Sequence, residues 1–72
     1  MIVADTGAVL ALIDQDERHH ASLRALFEQD PDAWVLPWAI LPEVDYLLHA
    51  HLGAPVEAAF LADLADGRWA VA

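Results

Sequence analysis

The 72-residue sequence contains no cysteine and no lysine, and its only basic side chains besides histidine are three arginines. Without cysteine, a disulfide framework and thiolate chemistry are both excluded. Twelve Asp and Glu residues outweigh the arginines and give a formal net charge of −9. Such a surface repels nucleic acid phosphates unless metal ions or a basic partner intervene. The composition therefore excludes binding to a phosphate backbone through a basic patch alone.

The sequence also lacks long apolar runs. No run approaches the length of a membrane span, and the N-terminus has no basic flank of a signal peptide, so we expect a soluble cytoplasmic protein without a membrane partner. Seventy-two residues form at most one small domain. The hydrophobic fraction of 58% nevertheless exceeds what so small a core needs. We therefore expect part of the apolar surface to meet another chain or the remainder of a larger domain.

Hydrophobic periodicity predicts the order strand, helices, strand, helices, strand. Residues 2–4 are short, apolar and β-branched, which is typical of a strand buried on both faces of a parallel sheet. Further strands are predicted over residues 33–36 and from residue 68. Helices are predicted over residues 7–13, 19–29 and 39–52, and from Pro55 to just before Gly67. This alternation indicates an α/β domain with a parallel sheet flanked by helices.

Two carboxylates follow the first two predicted strands. Asp5 ends the first strand, and Glu43 lies early in the helix after the second. Ligands of parallel sheets bind beyond the carboxyl ends of the strands, so both side chains are expected at one edge. Paired carboxylates suit Mg²⁺ or Mn²⁺, which can activate water and stabilise charge on a phosphodiester. Alternatively, Asp5 only caps the following helix and Glu43 is a solvated acid at a helix N-terminus.

Other polar and aromatic residues give weaker signals. Asp45 is two residues from Glu43 and should point away from it on a helix. The pairs His19-His20 and His49/His51 cannot share a helix face, so helix-end or interface roles are favoured over zinc ligation. Three tryptophans lie at or beside strands and are predicted to be core or interface anchors rather than base-stacking platforms: Trp34, Trp38 and Trp69.

Three segments together resemble PIN-domain ribonucleases, in particular VapC-type toxins. They are Ile-Val-Ala-Asp-Thr-Gly-Ala-Val-Leu-Ala-Leu at positions 2–12, the His19-His20 pair, and Leu-Pro-Glu-Val-Asp-Tyr-Leu-Leu at positions 41–48. The resemblance covers the whole chain in order. It implies a PIN-like, Rossmann-like three-layer fold, of which residues 1–72 would be the N-terminal half, truncated after the third strand begins.

The resemblance also implies a function. Such proteins are metal-dependent endoribonucleases of toxin–antitoxin systems, with Mg²⁺ or Mn²⁺ held by a ring of acids, a cognate antitoxin and often a homodimer. Asp5 matches the first acid of the family and Glu43 the second. Thr6 matches the hydroxyl that supports the first acid, and Gly7 stands where serine is also common. Because the family supplies further aspartates from its C-terminal half, we expect an incomplete metal site and no activity from this chain by itself.

Two alternatives remain open at the level of sequence. The chain could be a non-catalytic interaction module that binds an antitoxin or a dimer partner, which the charge of −9 and the missing acids favour. The second alternative is a dimeric aspartic protease, because Asp5-Thr6-Gly7-Ala8 matches the signature in which two chains each contribute one aspartate. Those proteases are all-β, whereas helical stripes follow the motif here.

Overall fold

The computed structural model describes all residues from 1 to 72 as four helices and three short strands. In chain order these are β1 (Ile2–Val3), α1 (Thr6–Ile13), α2 (His20–Gln29), β2 (Trp34–Leu36), α3 (Leu41–Leu52), α4 (Ala54–Ala65) and β3 (Ala70–Val71). Single 3₁₀ turns precede β2 and α3, at Pro31–Ala33 and Trp38–Ile40. Every predicted element is present, with bounds that differ from the prediction by at most two residues.

The three strands form one parallel sheet in the order β1-β2-β3. Ile2 lies opposite Trp34, and Val35 lies opposite Ala70. The pairing extends beyond β1 through a hydrogen bond from the Ala4 N–H to the Val35 carbonyl, at 2.9 Å. The predicted fold class, an α/β domain with a parallel sheet flanked by helices, is confirmed. This architecture also removes the basis for the aspartic-protease alternative, because Thr6 and Gly7 begin a helix.

The core lies between one face of the sheet and the helices. Its sheet residues are Ala4, Trp34 and Leu36, all 3% exposed or less. Helices α1, α3 and α4 contribute the buried side chains Val9, Leu12, Val44, Leu48 and Phe60. Helix α2 packs against the same cluster through the partly buried Leu23 and Phe27. All four helices thus share one core with one face of the sheet.

The opposite face of the sheet is not covered in the same way. Val3 is 61% exposed, and neither Val3 nor Val35 belongs to the core cluster or packs against it. The prediction of a first strand buried on both faces is therefore wrong for β1. The reason is that side chains alternate along a strand, and these helices bury only one of the two sets.

Glycine and proline join α3 to α4 without an intervening loop. Gly53 has φ of 87°, a conformation that residues with a Cβ rarely adopt, and its N–H donates to the carbonyls of Leu48 and His49. Pro55 occupies the first turn of α4, where its missing N–H costs nothing. The sharp junction sets α4 directly against α3. None of the four helices is both long and apolar enough to cross a membrane.

Candidate functional site

Asp5 lies in extended backbone between β1 and α1. Its Oδ1 accepts a hydrogen bond from the Ala8 N–H at 2.7 Å, and its carbonyl accepts one from the Val9 N–H at 3.1 Å. Asp5 is therefore the N-cap of α1, as one sequence interpretation predicted. The residue is exposed to solvent. The cap uses only Oδ1, so Oδ2 of the same carboxylate is left for another partner.

Glu43 lies in the first turn of α3. The chain leaves β2 at Leu36, passes the 3₁₀ turn Trp38–Ile40, and enters α3 with Pro42 and Glu43 in the opening turn. Glu43 is exposed and forms no hydrogen bond or ion pair within the chain. A carboxylate at this position is favoured by the helix dipole. Like Asp5, it keeps carboxylate oxygens free for a ligand.

Adjacent parallel strands lead Asp5 and Glu43 to the same edge of the sheet. β1 and β2 pair in register, and each of these acids follows the carboxyl end of one of the two strands. The two helices that they open, α1 and α3, pack against each other. Nowhere in the chain do three His, Cys, Asp or Glu side chains gather closely enough to hold a metal ion by themselves. The edge therefore offers two carboxylates without a third acid, histidine or cysteine beside them.

Thr6 and Gly7 complete the first motif. The hydrogen bond that holds the Asp5 carboxylate comes from the Ala8 backbone rather than from the Thr6 hydroxyl. A Cβ added at Gly7 would lie 3.6 Å from Oδ1 of Asp5, which is an ordinary van der Waals contact. The position can therefore hold a larger residue, consistent with the resemblance, in which serine is also common there.

Asp45 does not join Glu43, and instead it lies between α3 and α4. Its Oδ1 is buried without a hydrogen-bond partner, and Oε1 of Glu57, in the first turn of α4, accepts a hydrogen bond from His49 Nδ1 at 2.9 Å. A proton shared with Glu57, together with burial, raises the pKa of Asp45. The same contact with Asp45, and then the contact with His49, lowers the pKa of Glu57. Sequence reasoning missed this cluster, because its members lie on different helices.

The tryptophans divide into two kinds. Trp34 is 3% exposed, and Trp69 packs against Phe27 and Phe60 with ring centroids 5.6 and 5.8 Å away, so both are core residues as predicted. Trp38 is 67% exposed. Its N–H donates to the Ala72 carbonyl at 3.0 Å, which fixes its backbone at the carboxyl edge of the sheet. Trp38 is therefore not a core residue, and the other predicted role, an interface anchor, stays a prediction.

The comparisons with known proteins agree with the two motifs. No family model matches the chain. The chain is 35% identical over 71 residues to Ribonuclease VapC26 of Mycobacterium tuberculosis (strain ATCC 25618 / H37Rv). The aligned region is 99% of this chain and 53% of that relative, so the chain spans about half the length of the curated relative it matches. This similarity supports the resemblance of the chain to VapC-type PIN-domain ribonucleases.

Proposed function

We propose that this chain contributes Asp5 and Glu43 to a divalent-metal site that hydrolyses phosphodiester bonds in RNA. The observation that carries the proposal is that both exposed carboxylates follow the carboxyl ends of the adjacent parallel strands β1 and β2. The relative's name, Ribonuclease VapC26, supports RNA as the substrate. Within this proposal, residues 1–72 correspond to the N-terminal half of a PIN domain, a cognate antitoxin and a second copy are partners, and the cytoplasm is the location.

The two acids fit Mg²⁺ or Mn²⁺ in donor type. Both cations prefer carboxylate oxygens, and Mg²⁺ is often bound through one or two carboxylates with water and substrate phosphates at the other positions. Asp5 and Glu43 can supply that minimum, and the cap at Ala8 fixes the orientation of the Asp5 carboxylate. Thr6 has a supporting role in the proposal as the neighbour of Asp5 at the start of α1.

The bound cation would activate water and stabilise the charge that develops on the phosphate. The residues of the chain hold the reacting groups in place for this chemistry. Asp5 and Glu43 would hold the cation and offset part of its charge. No arginine or lysine lies in either motif, so the chain itself offers no cationic side chain to the phosphate at this edge.

RNA cleavage tests this proposal. Because the ligand set is incomplete, we expect cleavage by the 72-residue chain with Mg²⁺ or Mn²⁺ to be at or below the limit of detection even at high protein concentration, and any cleavage that is detected should stop when EDTA is added. Asp5→Asn and Glu43→Gln should each lower the rate by about 100-fold or more, since each removes a charge that holds the cation. Asp32→Asn, which removes an exposed acid remote from the edge, is the matched control. Equal cleavage by wild type, Asp5→Asn and Glu43→Gln would contradict the proposed site.

A second candidate function is a non-catalytic interaction module. The observation that favours it is the net charge of −9, which repels the phosphates of RNA. The same assay separates the two functions. Complete absence of RNA cleavage by the wild-type chain in the presence of either metal ion would favour the interaction module.

A further inference from the structure

We draw no further inference here: the strongest candidate, the open face of the sheet on which Val3, Val35 and Ala70 lie side by side across the three strands, carries nothing because nothing in the structure shows what covers it.

Discussion

At the scale of single residues, Asp5 serves two purposes that use different atoms. Its Oδ1 caps α1 through the Ala8 N–H, and its Oδ2 is free for a ligand. The two interpretations of Asp5 at the level of sequence, helix cap and metal ligand, are therefore compatible. Because the cap needs only an oxygen acceptor and the metal needs a charge, substitutions can separate the two purposes.

The variants Asp5→Ala and Asp5→Asn distinguish helix capping from metal binding. Asparagine caps a helix about as well as aspartate, whereas alanine loses the hydrogen bond, at a cost of about 1 kcal/mol. We expect Asp5→Ala to lower the free energy of unfolding by about that amount in a urea titration. Asp5→Asn should leave the free energy of unfolding nearly unchanged and still abolish metal-dependent activity.

Asp16→Ala is the matched control for stability, because Asp16 is an exposed acid in the connection between α1 and α2. It should change stability much less than Asp5→Ala does. Equal stability of Asp5→Ala and wild type would show that the hydrogen bond to Ala8 contributes nothing to folding.

At the scale of helices and strands, the junction of α3 and α4 contains an acidic pair under strain. Asp45 on α3 has a raised pKa because of its contact with Glu57 on α4 and its partial burial. A group whose pKa is raised in the folded state adds stability below its unfolded pKa and loses it as the pH rises. Glu57, with a lowered pKa, has the opposite dependence, and its contribution disappears as the pH falls through its folded pKa.

Asp45→Asn should therefore stabilise the chain at neutral pH. The contact with Glu57 and burial both disfavour the ionised form of Asp45, whereas the asparagine amide carries no charge and can donate a hydrogen bond to Glu57. The gain should shrink below the ordinary pKa of aspartate, where Asp45 is protonated in both the folded and the unfolded chain. Thermal unfolding at neutral and at acidic pH checks this.

The control variant is Asp32→Asn, which removes one exposed acid and so measures the effect of total charge alone. The stabilisation by Asp45→Asn should exceed the stabilisation by Asp32→Asn at neutral pH. A stabilisation that does not vary with pH, or that only equals the control, would contradict the proposed repulsion between Asp45 and Glu57.

The positions of the helices and strands were the part of the structure that the sequence predicted best. Apolar periodicity located all four helices, and Gly53 and Pro55 located the junction between α3 and α4. The exposure of Val3 was not predictable, because a strand of two residues is too short to show the alternation that separates a buried face from an open one. Its burial depends on which side the helices pack, which is a tertiary property.

The candidate site could also be predicted only in part, because some of its features depend on tertiary contacts. Strand order and parallel pairing were enough to predict that Asp5 and Glu43 reach one edge of the sheet. The exposure of Trp38 and the contact between Asp45 and Glu57 were not predictable, since both depend on how separate segments approach each other. Large aromatic residues are buried on average, so the sequence could not distinguish a core role from an interface role for Trp38.

At the scale of the whole molecule, the charge and the small core are the main features. Only nine residues are buried, all of them apolar, and the ion pairs lie at the surface. Exposed ion pairs of this kind contribute little to stability. The acids are distributed over the entire surface, so a divalent cation has several places to bind weakly, including the 14–17 connection and the Asp45–Glu57 pair. The proposed function requires that the Asp5–Glu43 edge binds the cation more tightly than these other places do.

The most direct measurement is a Mn²⁺ titration of the isotope-labelled chain, followed by paramagnetic broadening of backbone amide signals. If Asp5 and Glu43 share a cation, the first signals to broaden are those of Thr6–Ala8 and of Glu43–Val44, and they broaden together. Asp5→Asn should abolish broadening at both segments. Early broadening around Asp45 and Glu57 or around residues 14–17, with the signals of Thr6 and Glu43 still sharp, would contradict the account.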